Sequence, residues 1–140
     1  MRNITNKRAQ VAVEYMLIAA FLLIATGIIF IYSMTTLDQT IRIAKADKAI
    51  SILASAADNV SARGPGNTII TEIELPTEVA SYQILFSGKT ISLSINTPNG
   101  QNERFVETSS DLNSATLSLS SGKNIIKVEM VNDKVVFSEG

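Results

Sequence analysis

The amino-acid sequence predicts an α+β protein, in which a long N-terminal α-helix precedes a small antiparallel β-sandwich-like head domain. Three observations support this class. An uncharged apolar run occupies residues 15–37, a helical repeat of apolar residues follows it, and beyond residue 67 apolar residues recur at every second position. At 140 residues, the chain has room for one ordinary domain and an appended helix.

The apolar run is long enough to cross a membrane as a helix. The 23 positions from Tyr15 to Leu37 would span about 35 Å, and a hydrocarbon core is roughly 30 Å thick. Lys7 and Arg8 precede the run, so the positive-inside rule puts the N-terminus in the cytoplasm and the rest outside. A plain single-pass anchor fits these features well. A secretory signal peptide fits less well, because its apolar region is shorter and ends at a small-residue cleavage site.

Glu14 is a carboxylate at the head of this apolar run. An acidic side chain in hydrocarbon costs about 2.5–3.5 kcal/mol, which makes such a residue a functional candidate. The cost shrinks at the membrane interface, where Glu14 could simply face the headgroups. The residues by themselves leave both interpretations open.

The nine residues 7–15, KRAQVAVEY, resemble the class III signal sequence of archaeal type IV pilins. In that family a prepilin peptidase cuts after a small residue that follows basic residues, leaving Gln as the new N-terminus and Glu as the fifth mature residue. The resemblance implies a cleavable leader over residues 1–9 and a cut between Ala9 and Gln10. Ala9 departs from the glycine of many relatives, which bears on how efficiently the peptidase cuts. The implied processing residues are Lys7, Arg8, Ala9 and Gln10.

The resemblance also implies a function without a cofactor. The chain would be a structural subunit of a cell-surface filament serving adhesion, with copies of itself, a prepilin peptidase and an assembly platform with its ATPase as partners. The precursor would lie in the cytoplasmic membrane with its head outside, and the mature form in the filament. During assembly Glu14 of one subunit would meet the new amine of Gln10 of a neighbour, and pairing would offset the desolvation of both charges. The alternative is a membrane-anchored extracytoplasmic β domain that binds a ligand or an envelope component.

Beyond Asp38 the helical pattern continues as an amphipathic one. A second, weaker apolar strip suits a helix that packs on its own domain and on neighbours, whereas a soluble helix packed on one domain is the simpler alternative. Gly64-Pro65-Gly66 ends the pattern, so one helix is predicted over residues 10–63, with 10–37 as the membrane or filament-core part. The main face comprises Ile43, Ala46, Ile50, Leu53, Ala57 and Val60, and the second strip comprises Ile41, Ala49, Ile52 and Ala56.

Residues 67–140 alternate with the period of β-strands and predict six or seven antiparallel strands in a sandwich or rolled sheet. Turn residues separate the alternating segments. Two Ser-Gly-Lys sequences lack the upstream glycine of a phosphate-binding loop, so we interpret both as hairpin turns. The predicted turns are Leu75-Pro76-Thr77, Ser87-Gly88-Lys89, Pro98-Asn99-Gly100, Ser121-Gly122-Lys123 and Asn132-Asp133.

Composition argues against most enzyme and metal chemistry. The chain has no histidine and no cysteine, which removes imidazole bases, catalytic triads and the usual zinc ligands. The remaining carboxylates form no convincing catalytic pair or calcium loop, so we expect no catalytic, metal or cofactor site. A net charge of −1 gives no indication of nucleic-acid binding. Asn59-Val60-Ser61 matches the N-glycosylation sequon, which makes Asn59 a possible glycosylation site.

Overall fold

The structure, a computed structural model, describes residues 2–77, 81–97 and 100–140. One helix is followed by five strands, so the predicted α+β class is confirmed. Contacts divide the chain into two units, Met1–Gln39 and Thr40–Gly140. The elements are α1 (Arg2–Arg63), β1 (Thr68–Leu75), β2 (Ser81–Thr97), β3 (Gly100–Ser120), β4 (Gly122–Val131) and β5 (Lys134–Glu139).

Helix α1 ends at Arg63, where the sequence predicts its end. Gly64 has a φ of 84°, a conformation that glycine adopts readily, and its N–H donates to the carbonyl of Ser61 at 3.0 Å. The side-chain amide of Asn67 donates to the carbonyls of Arg63 (2.8 Å) and Gly64 (3.0 Å), which satisfies acceptors left over at the helix end. The helix begins earlier than the predicted residue 10, because residues 2–9 contain no proline or glycine to stop it.

The five strands form a single sheet in the order β1-β4-β5-β3-β2. The neighbours are antiparallel except β3 and β5, which pair in parallel at Leu112 and Val135. The predicted six or seven strands are therefore five, in one mixed sheet. The difference arises in β2, which contains two alternating segments, 82–86 and 90–95, that the sequence pattern presents as separate strands. The register between β2 and β3 shifts around Gly88, where the strands bend without ending.

The predicted turns have mixed outcomes. Asn132 and Asp133 have φ of 47° and 62° in a two-residue hairpin between β4 and β5, which confirms that turn. Thr97 pairs with Gly100, so β2 and β3 also form a hairpin, although Pro98 and Asn99 lie outside the described residues. The Ser87-Gly88-Lys89 prediction is wrong, because these residues lie inside β2. Ser121-Gly122-Lys123 lies at the connection from β3 to β4, so a turn is confirmed there, but it is not a hairpin turn because β5 lies between these two strands in the sheet.

The hydrophobic core lies between the part of α1 beyond Thr40 and one face of the sheet. The predicted main face is confirmed, since five of its residues are buried and Ile43 is partly buried. Alanines dominate the helix side of the core, whereas branched and aromatic residues dominate the sheet side, where the rings of Phe86 and Phe137 stack at 4.1 Å. Burying one large side chain such as Leu53 contributes about 1.5–3 kcal/mol. The helix residues of the core are Ala46, Ala49, Ile50, Leu53, Ala54, Ala56, Ala57 and Val60.

Candidate functional site

The first candidate surface is the apolar part of α1 within the unit Met1–Gln39, which is left uncovered. Its large side chains are exposed all around the helix, with 74% of Leu23, 71% of Phe21 and 77% of Met16 accessible. This helix is long and apolar enough to cross a membrane, and none of its most apolar stretch is buried. Because water is a poor solvent for such a surface, it requires a bilayer or a protein partner.

The three threonines of the apolar segment donate hydrogen bonds within the helix. The hydroxyl of Thr26 donates to the carbonyl of Leu22 at 2.8 Å. Thr35 and Thr36 donate to the carbonyl of Tyr32 at 2.9 and 3.0 Å. In hydrocarbon no water can take over these bonds, so internal pairing is what makes a hydroxyl tolerable there. These threonines are therefore compatible with an apolar environment.

The structure brings Gln10 and Glu14 together on one face of α1. The side-chain amide of Gln10 donates to Oε1 of Glu14 at 3.4 Å, a long and weak bond one helical turn apart. Ala9 and Gln10 are exposed within α1. Lys7 and Arg8 lie in the same helix, and their side chains are outside the described part. Chemically, Glu14 is an accessible acceptor at the margin of an apolar surface, and the leader cut remains a prediction.

A second feature is a groove in the unit Thr40–Gly140, between α1 and the edge strand β1, which we term the α1–β1 groove. It contains two cavities that share Ile52 in their walls. Ile52 belongs to the second apolar strip predicted from the sequence. One cavity, of about 270 Å³, is lined by Lys45, Lys48, Ala49, Ile52, Glu72, Ile73 and Glu74. The other, of about 290 Å³, is lined by Ser51, Ile52, Ser55, Ala56, Asn59, Ile69 and Thr71.

Two ion pairs connect α1 to the sheet, and one of them involves residues that line this groove. Nζ of Lys45 lies 2.9 Å from Oε1 of Glu74, and this bond is the main cause that lowers the pKa of Glu74. Arg104 of β3 forms a two-pronged pair with Asp47 at 2.7 and 2.6 Å, which raises the pKa of Arg104. These side chains are about half exposed, so each pair stabilises the fold modestly.

Asp58 has a structural role that the sequence does not reveal. It is partly buried and accepts hydrogen bonds from the Ser109 N–H (2.9 Å) and the Ser110 hydroxyl (3.1 Å). It thereby ties α1 to the irregular part of β3. The partners lie about fifty positions apart, and no local pattern marks such a pairing.

Comparisons with known proteins do not assign the chain to a family. No protein family, curated protein or solved structure matches the chain significantly. Among the residues that the structure describes, no group of three or more acidic, histidine or cysteine side chains is arranged to hold a metal ion. The fold and the uncovered helix define a broad class, an α+β chain whose N-terminal helix is able to span a membrane.

Proposed function

We propose that this chain is a structural subunit of a type IV pilin-like filament on the cell surface. It is made as a membrane-anchored precursor, cut between Ala9 and Gln10 by a prepilin peptidase, and assembled with copies of itself by a platform and its ATPase. The resemblance of residues 7–15 to class III signal sequences supports this class. The filament serves adhesion through its exposed heads.

The observation that carries the proposal is the exposure of the apolar part of α1 on all sides of the helix. A helix of a globular protein buries one face and leaves the other polar, whereas this segment is apolar on every side and uncovered. Lipid covers such a segment before assembly, and a bundle of like helices covers it afterwards. One segment thus serves as anchor and as filament core, since both environments are apolar.

Glu14 has the assembly role in this proposal. After the cut, its carboxylate pairs with the free amine of Gln10 of a neighbouring subunit, and each charge offsets the desolvation of the other. We expect Glu14→Val to be inserted and cut normally but to assemble poorly. Glu14→Gln keeps the size and shape of the glutamate but lacks its charge. We expect this variant to assemble poorly as well. Normal filaments from either variant would exclude the pairing role.

The decisive experiment recovers surface appendages from the producing cells by shearing. The intact mass and the N-terminal peptide of this protein are then measured in the sheared and the membrane fractions. A chain beginning at Gln10, or at its cyclised pyroglutamate form, in the sheared fraction supports processing and assembly together. A chain that stays in the membrane and begins at Met1 favours the alternative, a single-pass anchored domain that binds a ligand or an envelope component.

A further inference from the structure

Asn59 differs from the other asparagines of the head whose contacts the structure describes in detail. The amides of Asn67 and Asn124 each donate to two backbone carbonyls and hold the chain at a turn. The side chain of Asn59 is exposed and has no hydrogen-bond partner among the described residues. Ser61 supplies the hydroxyl that the N-glycosylation sequon requires two positions later. The amide of Asn59 is therefore available for modification.

The direction of Asn59 is set by the helix. Every Cα–Cβ bond in an α-helix tilts toward its N-terminus, so a side chain lies over the preceding turn. Residues 52, 55, 56 and 59 follow one another at helical spacing, which places Asn59 in line with Ser55 and Ile52. A group attached to its amide nitrogen thus starts in the α1–β1 groove, whose wall Asn59 helps to form.

The chemistry of this groove suits a sugar chain. A sugar ring has faces of C–H groups and a rim of hydroxyls, so it requires an apolar floor with hydroxyl or amide groups at the sides. Ile52 and Ile69, both half-buried, supply apolar lining to this groove, and Ser51, Ser55 and Thr71 supply hydroxyls to the same lining. The cavity around them measures about 290 Å³, close to the lower end of the range of about 300–1,000 Å³ for ligand pockets.

We propose that Asn59 carries an N-linked glycan whose first sugars lie in the α1–β1 groove. This inference rests on the orientation in the proposed function, with the head outside, but it does not require a filament. Of the second apolar strip, Ala49 and Ala56 are buried in the core of the head, and the glycan covers the part that remains accessible at Ile52. The groove is therefore occupied by a covalent group of this chain.

Glycan transfer requires a donor and an enzyme on the outer side of the membrane. The donor is an oligosaccharide bonded through its anomeric carbon to the phosphate of a membrane lipid. Nδ2 of Asn59 forms a bond to that carbon, the carbon–oxygen bond to phosphate breaks, and the lipid phosphate leaves with the electron pair. Nδ2 loses one proton to a base of the transferase.

The burial of Val60 fixes when the transfer occurs. Val60 is fully buried, so an enzyme cannot enclose the segment 59–61 while α1 is packed on the sheet. The modification must precede this packing, as the chain emerges from the membrane. We therefore expect purified folded protein to be a poor acceptor for the transferase, and chain in the course of export to be a good one.

The first test uses intact mass and glycopeptide mapping of the full-length chain from an N-glycosylating host. Wild type should gain the mass of a glycan at Asn59, and Ser61→Ala should lack it although Asn59 is retained. Lys134→Thr creates a second sequon at Asn132, in the exposed β4–β5 turn, and Ser61→Ala in the same chain removes the first. A glycan at Asn132 then shows that the head was exported, whether or not Asn59 can be modified. A glycan at Asn132 but not at Asn59 of the wild type overturns the inference and leaves the orientation intact. A lack of glycan at both contradicts the inference and the proposed orientation together.

The second test addresses the groove by hydrogen–deuterium exchange of the amides of β1. A glycan seated in the groove should slow exchange in β1 at least severalfold in wild type relative to Ser61→Ala. The Ser61→Ala, Lys134→Thr chain is the control, because its glycan lies at another turn and should leave β1 unchanged. Equal exchange in wild type and Ser61→Ala would show that the glycan projects into solvent. That result would contradict the proposal that its first sugars lie in the α1–β1 groove.

Discussion

Residues 15–37 and residues 40–63 belong to the same helix, α1, and both are rich in apolar residues. In the second stretch the apolar residues recur on defined faces, and the sheet buries the main face. In the first stretch they occupy all sides, and none of the most apolar part is buried. A helix with one apolar face can bury that face against its own sheet. A helix that is apolar on all sides needs lipid or other chains to cover it.

The largest effect should follow from charging the first stretch. Replacing both Leu23 and Ile28 by lysine should weaken membrane insertion by about 5–7 kcal/mol, since each lysine near the centre of a membrane helix costs about 2.5–3.5 kcal/mol. Partition of the full-length chain between membrane and soluble fractions measures the effect.

The matched control places lysines at Ser51 and Ser55, which are exposed positions of the second stretch. Because these positions face water, insertion should not change. If the control reduced insertion as strongly, the idea that lipid surrounds the first stretch and water surrounds the second would be contradicted.

The next effect concerns the buried face of the second stretch. Leu53 is fully buried, and Leu53→Ala should lower the free energy of unfolding of the head by about 2–5 kcal/mol through lost contacts and a cavity. Leu23→Ala is the control, because Leu23 is 74% exposed in the first stretch. Urea titration of the full-length chain in detergent, followed by circular dichroism, measures both. A similar loss in the two variants would contradict the division of α1.

The helix and its core could be predicted because their determinants are local. The repeat that includes Ala46, Ile50 and Leu53 indicates which side is buried, and Gly64-Pro65-Gly66 marks the end. The strand count could not be predicted in the same way. Ser87-Gly88-Lys89 has the composition of a turn, but pairing of β2 with β3 on both sides of Gly88 keeps the strand going as a bulge.

Whether the contacts of the candidate sites could be predicted also depends on how far apart the residues are in the sequence. Gln10 and Glu14 lie one turn apart, so their common face follows from helical geometry. The α1–β1 groove could not be inferred, since Asn59 and Thr71 come together through the order of strands in the sheet. The contact between Asp58 and Ser110 has the same origin.

A smaller effect should follow at the end of the second stretch. Asn67→Ala removes two hydrogen bonds to the carbonyls of Arg63 and Gly64 and should destabilise the head by about 1–2 kcal/mol. Asn59→Ala is the control, since Asn59 has no such bond and alanine favours a helix slightly. Urea titration of protein from a host without N-glycosylation compares them. An equal loss in both variants would show that Asn67 does not cap α1.

The smallest effect concerns the ion pair of Lys45 with Glu74, in which the pKa of Glu74 is lowered in the folded state. A lowered pKa stabilises the folded state above the pKa of the unfolded chain, and this contribution disappears as the pH falls through the folded pKa. Glu74→Gln should therefore be slightly less stable than wild type at pH 7. The difference should shrink as the pH falls below the unfolded pKa of about 4.3, and it should vanish once Glu74 is protonated in the folded state. It should also shrink in 1 M salt, where the Debye length is about 3 Å. Glu107→Gln, at an exposed position of β3, is the control and should match wild type at pH 7. A difference that persists in acid would mean that Glu74 supports the groove by packing rather than by charge.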